Sequence, residues 1–189
     1  MVKKTEYPIY QLKIALKSIR PPVWRRIQVP GDTSLRKIHD IIQILMNWDD
    51  YHLHAFQVGG TRYGVPDPDG FGDMEEKDDR RFKLADVVPA SKSIIGYIYD
   101  FGDNWEMGIL VEKILLPEED VKYPVCLAGK RAGPPEDCGG AWGYAKLLEI
   151  IRTPDHEEHE SMMEWLGDEF DPEVFDINMI NAKLRKMKR

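Results

Sequence analysis

Four segments hold most of the side chains that could do chemistry. The first is Tyr97-Ile98-Tyr99-Asp100-Phe101-Gly102-Asp103-Asn104-Trp105, where two acids flank a glycine beside aromatic residues. Carboxylates so spaced can hold a metal or act as an acid–base pair, or they can cap a turn through its backbone amides. The second is Trp48-Asp49-Asp50-Tyr51-His52-Leu53-His54-Ala55-Phe56. On a strand, His52 and His54 would share one side, as a metal pair requires. A third ligand must come from elsewhere, with Asp100 or Asp103 as candidates. Otherwise the histidines are hydrogen-bonded on a sheet face.

The third segment runs Gly133-Pro134-Pro135-Glu136-Asp137-Cys138-Gly139-Gly140-Ala141-Trp142-Gly143-Tyr144. Its glycines allow close backbone approach, and it opens into a helix whose first amides can face an anion. It lacks the Lys-Ser/Thr ending of a P-loop and the spacing of a dinucleotide fingerprint, so nucleotide binding is poorly supported. Cys138 stands before a helix start, a place that can lower a thiol pKa, but no Cys-x-x-Cys accompanies it. The fourth is His156-Glu157-Glu158-His159-Glu160, whose histidines stand three apart rather than four and which reads as a solvated acidic helix face.

The elements that must position these residues follow from periodicity. Tyr10, Leu12, Ile14 and Leu16 alternate with polar neighbours, which predicts a strand with one buried face. Pro21-Pro22 interrupts, as a bend or bulge at an edge, before a second strand over Val23 to Val29. Leu35, Ile38, Ile41, Ile42, Leu45 and Trp48 recur at helical spacing after a Thr33 or Ser34 cap, and His39 on that helix reads as packing or surface. Two hairpins follow. One turns at Gly59-Gly60, the other runs from Ile94–Tyr99 through Phe101-Gly102-Asp103-Asn104 to the strand of Trp105, Met107, Ile109 and Val111. Residues 64–80 read as loop, 84–88 as a short helix, and Tyr123 to Leu127 as a further strand. Helices are expected from Tyr144 to Ile151, from a Thr153-Pro154-Asp155 start to Gly167, and after an Asp176 cap.

Strands fill the first two thirds and helices the last. The fold class expected is α+β: a mainly antiparallel twisted sheet of about five to seven strands in hairpins. It packs with a helix in the N-terminal half and a C-terminal helical segment. At 189 residues, one domain over 1–189 is expected. The net charge of -7 and a pI near 5.3 argue against broad nucleic-acid binding. Nonetheless Arg20, Arg25, Arg26, Arg36 and Lys37 form a basic stretch that would be its route. No segment approaches the roughly 20 apolar residues of a membrane helix. Two cysteines, Cys126 and Cys138, suit a reducing, cytoplasmic setting, and their pairing stays open.

Together, in their order along the chain, these segments resemble the plasmid pRiA4b ORF-3-like family. The likeness rests on Tyr10-Gln11-Leu12-Lys13, Pro21-Pro22-Val23-Trp24-Arg25-Arg26, His52-Leu53-His54-Ala55-Phe56 and Tyr99 to Trp105. It continues through Pro134 to Gly140, Glu164-Trp165-Leu166-Gly167, Phe170-Asp171-Pro172-Glu173 and Phe175-Asp176. The resemblance implies an α+β microbial cytoplasmic protein with relatives on plasmids or mobile elements; it brings no established activity to carry over and leaves the cofactor open. Many members have a histidine two residues after the tryptophan of the Asp-Phe-Gly-Asp turn, where this chain has Met107.

The leading expectation is a non-catalytic binding module. Its surface would combine His52, His54, Tyr99, Asp100, Asp103, Trp105, Pro134, Pro135, Glu136, Asp137, Trp142 and Tyr144. Trp105, Trp142 and Tyr144 would supply apolar contact, and the acids would favour a cationic ligand, a basic peptide or a basic protein partner. The alternative is a metal-dependent hydrolase or nuclease with ligands from His52, His54, Asp100, Asp103, Glu136 and Asp137. Duplex DNA binding through the basic stretch is third.

Overall fold

The structure, a computed structural model, describes residues 7–66, 76–167 and 170–187. Its strands are β1 (Ile9–Leu16), β2 (Trp24–Pro30), β3 (His54–Val58), β4 (Thr61–Gly64), β5 (Glu76–Asp78), β6 (Ile94–Tyr99), β7 (Trp105–Leu115) and β8 (Val125–Lys130). They form one sheet in the order β5-β4-β3-β6-β7-β1-β2-β8, antiparallel except for the β4–β5 pair. The helices are α1 (Leu35–Met46), α2 (Leu84–Val87), α3 (Gly140–Arg152), α4 (His159–Leu166) and α5 (Ile177–Lys186). The α+β architecture is the expected one. The additional strand is β5, which lies in the stretch read as loop. Its Glu-Lys-Asp sequence has no apolar alternation to reveal it, and Glu76 pairs with Arg62 of the neighbouring strand. Residues 67–75 of that expected loop lie outside the described residues.

One face of the sheet carries the core. Leu12, Ile14 and Leu16 of β1 and Trp105, Met107, Ile109 and Val111 of β7 are buried, while the residues between them stay partly exposed. Helix α1 lays Leu35, Ile38, Ile41, Ile42 and Leu45 into the same core. Ser34 starts that helix by accepting from the Lys37 amide, and Asn47 ends it in a left-handed conformation. The Pro21-Pro22 step lies in the connection between β1 and β2, which pair in the sheet interior, not at an edge. The prolines need no ladder partner there, because the strand register resumes only at Trp24.

Two other expectations need correction. Thr153-Pro154-Asp155 does not start a helix. Thr153 ends α3, its hydroxyl donating back to the Glu149 carbonyl, and α4 begins only at His159. The proline follows a helix end, where its missing N–H prevents continuation. His156 therefore lies outside α4, and its Nδ1 accepts from the Glu158 amide. Arg25, expected as part of a basic stretch, is buried, with its guanidinium donating to the carbonyls of Leu45, Trp24 and Lys130.

The core has a polar centre. The His39 ring of α1 stacks on the His54 ring of β3 with centroids 3.6 Å apart. His39 Nε2 lies 2.7 Å from Asp50 Oδ1, and its Nδ1 lies 2.8 Å from the Tyr97 hydroxyl. Gln43 donates to that hydroxyl and accepts from the Asp50 amide. His54 Nε2 meets Asp79 Oδ2 at 2.8 Å, with both residues buried. One assignment satisfies the His39 bonds: a neutral ring donating from Nε2 to Asp50 and accepting at Nδ1 from Tyr97.

Burial and the adjacent His54 hold His39 down to about 4, with Asp50 opposing. An unfolded histidine titrates near 6.5. Between these values the unfolded chain takes up a proton that the folded chain refuses, so this residue withdraws stability as pH falls through that window, by about 3 kcal/mol in all. Urea unfolding of wild type and His39→Gln at several pH values checks this. The gap between them should narrow as pH drops from about 6.5 towards 4. A constant gap would show that His39 titrates alike in both states.

Candidate functional site

Three chain segments meet where α1 ends, β3 begins and β6 turns into β7. Register places them. His54 pairs with Tyr99 across β3 and β6, and the Asp100 amide donates to the Leu53 carbonyl at 2.9 Å. The stretch 49–53 therefore runs alongside the turn at 100–104. Asp100 takes a left-handed backbone, and its Oδ1 accepts from the Gly102 amide at 2.9 Å. That bond turns the other oxygen, Oδ2, towards His52.

The loop at 134–139 comes from the far side of the sheet, after β8, and is fastened at four points. Trp48 Nε1 donates to the Pro134 carbonyl at 2.8 Å. Glu136 accepts from the Asp49 amide at 2.7 Å and, through its other oxygen, from the Tyr99 hydroxyl in a short bond. Asp103 Oδ2 accepts from the Gly139 amide at 3.0 Å. Gly140 packs against the Asp103 backbone so closely that a Cβ there would lie 2.1 Å from its carbonyl oxygen. Beneath the loops, Trp48 stacks on Tyr99 at 4.8 Å and leans on Trp105 at 5.9 Å, which meets Tyr144 edge-on at 6.4 Å.

His52, Asp100 and Asp137 come together above this stack, each offering one ligand atom, all within 4.8 Å of one another. His52 Nε2 is 3.0 Å from Asp137 Oδ1 and 3.7 Å from Asp100 Oδ2. These are the donors that could hold a metal. Glu136 is a brace, with both oxygens occupied. Burial, with the hydrogen bond and charge of Glu136 adding to it, pushes the Tyr99 hydroxyl above its ordinary range, so Tyr99 keeps its proton and donates.

The remaining expected residues lie elsewhere. His54 points into the core against His39 and Asp79, away from His52. The strand begins only at His54, so the alternation that would align the two histidines does not reach His52. Asp103 caps the helix-side loop instead of facing the cluster. Trp105 and Tyr144 are buried supports and Pro134 is buried, leaving Pro135 half-buried and Trp142 90% exposed. The Cys138 thiol is not activated: burial and the charge of Asp103 push it up to about 12. Cys126 and Cys138 are both free. Trp48 and the Asp49 amide were missed as site residues. Trp48 fits the helical core stripe, and nothing in its spacing marks its indole N–H for Pro134.

Residues 8–179 match the family model described as plasmid pRiA4b ORF-3-like protein. This chain belongs to that family. Within 175 aligned residues it is 33% identical to uncharacterized protein y4hQ of Sinorhizobium fredii (strain NBRC 101917 / NGR234), covering 92% of this chain and 89% of that protein. It is also similar to the crystal structure of protein of unknown function MM3350 from Methanosarcina mazei Go1. That match has 43% identity and a TM-score of 0.80, over 90% of this chain and 97% of the other. Met107, singled out in the sequence beside the turn, is fully buried on β7 opposite Tyr97.

Among described residues of this family member, no helix is long and apolar enough to cross a membrane. The fastening of the 134–139 loop is testable through Gly140, whose φ is +64°. Gly140→Ala should cost at least about 2 kcal/mol in urea unfolding, from the left-handed backbone and the clash with Asp103. Gly108→Ala, where a Cβ meets open space, should change stability by under about 1 kcal/mol. Equal effects would contradict the close docking of loop on turn.

Proposed function

We propose that this chain is a non-catalytic binding module that works in the cytoplasm as one folded unit and takes a basic peptide segment of a partner protein. The observation that carries this reading is the meeting of three loops rich in acid. Residues 49–54, 100–104 and 134–139 contribute Asp49, Asp50, Asp100, Asp103, Glu136 and Asp137, with no Lys or Arg among them; Asp50 is paired with Arg36, and Asp103 and Glu136 are hydrogen-bonded within the loops, so Asp49, Asp100 and Asp137 are the acids left to meet a ligand. Exposed apolar side chains accompany the acids. Tyr51 and Leu53 flank His52, Phe101 follows Asp100, and Trp142 stands in the first turn of α3, just past the Gly140 contact. Acids select cationic side chains, and exposed aromatic residues give contact area with little entropy to lose. The free cysteines support a reducing compartment. The family description, a plasmid open reading frame, supports an association with mobile elements.

The competing readings have less support. A hydrolase with six ligands loses three of them to other tasks, since His54 binds Asp79, Asp103 caps Gly139, and Glu136 braces Tyr99. For duplex DNA, Arg25 is buried, Arg26 is paired with Glu112, and Arg36 is paired with Asp40 and Asp50.

A peptide array probed with the purified chain tests the module. Captured sequences should be enriched in Lys and Arg with an adjacent apolar residue, and binding should weaken with added salt. Trp142→Ala should reduce affinity by about tenfold, roughly 1.4 kcal/mol, without loss of folding, because the side chain touches solvent and not the core. Capture without basic enrichment, or with Trp142→Ala indistinguishable from wild type, would sink this reading.

A further inference from the structure

His52 Nε2 has no accessible surface and no hydrogen-bond partner. Yet it points between two carboxylates, 3.0 Å from Asp137 Oδ1 and 3.7 Å from Asp100 Oδ2. The nearer contact lies in a direction that makes no hydrogen bond. A buried polar nitrogen left without a hydrogen bond is costly. One cation placed among the three atoms would give the nitrogen a partner and balance the two carboxylates. The two His52 distances suit a shared ion: ligands about 2.0–2.2 Å from it lie roughly 3.0–3.5 Å from each other, and the two carboxylates lie within 4.8 Å of one another.

We propose that His52, Asp100 and Asp137 form a site for one divalent transition-metal ion, Zn²⁺ before Mn²⁺, with water completing its coordination. The imidazole donor favours these ions over Mg²⁺ and Ca²⁺, which take oxygen ligands. The three ligands come from the entry to β3, the β6–β7 turn and the β8–α3 loop, so the ion ties together the three segments of the proposed peptide surface. Asp100 is held for this by its Gly102 bond, and the Asp137 loop is held by the Glu136 bonds to Tyr99 and Asp49. Such outer contacts orient ligands in metal sites. The inference rests on the same reading of this cleft as the binding site, but not on a peptide being present.

The test is calorimetric titration of tag-free, EDTA-treated full-length chain with Zn²⁺, Mn²⁺ or Co²⁺ alone. One Zn²⁺ per chain is expected, with affinity reduced by about tenfold or more in His52→Gln and in Asp137→Asn. Co²⁺ should show visible absorption bands in wild type that both variants lose. Asp137 is exposed, so Asp137→Asn should keep its fold, which circular dichroism checks. No uptake of any of the three ions at millimolar concentration overturns the site. So does uptake unchanged in both variants, which would put the ion elsewhere. Repeating the peptide array on EDTA-treated chain separates the two readings. Peptide capture without metal uptake sinks the metal site alone, and metal uptake without basic-peptide capture sinks the peptide reading alone.

Discussion

The stack of Trp48 on Tyr99 joins three parts of the molecule that are distant in sequence. Trp48 follows α1, Tyr99 ends β6, and through their polar ends the two rings fasten the loop after β8: the indole to Pro134, the phenol to Glu136. Both rings are buried, so each polar tip needs a partner or pays the cost of desolvation. The 134–139 loop supplies those partners. With it in place, Asp137 comes against His52, and Gly139 and Gly140 settle on Asp103. Remove the stack and the acidic loops have no common frame.

The sheet makes this possible by being one-sided. Core residues of β1 and β7 alternate with partly exposed ones, so α1 must lie on one face only, and its last turn then delivers Trp48 to the ends of β3 and β6. The polar centre formed by His39, His54, Tyr97 and Asp79 occupies the same interface between α1 and the sheet. These two histidines work inside the fold, and His52 works at its surface. Chain distance does not separate the roles; the start of the strand does.

Much of the fold was legible from residue pattern. The stripe from Leu35 to Leu45, the alternation from Tyr10 to Leu16, and the Asp176 cap all appear where periodicity and capping chemistry put them. Patterns failed where local chemistry had two uses. Thr153-Pro154 suits a helix start as well as a helix end, and only the length of α3 decides between them. Glu76-Lys77-Asp78 has no apolar signature because it is a short edge strand, held by pairing with β4.

The sequence by itself determined the α+β class, the main helix, the hairpins and the family, because these depend on periodicity and on ordered motifs within the chain. It also singled out the three acidic and histidine-bearing loops. What only the tertiary structure decided is which of their side chains meet. His52, Asp100 and Asp137 converge, His54 turns inward, Glu136 becomes a brace, and Trp105 and Tyr144 become supports. The physical reason is that these meetings are set by strand register, by left-handed turns and by long-range hydrogen bonds of buried rings. None of these leaves a signal in residue spacing.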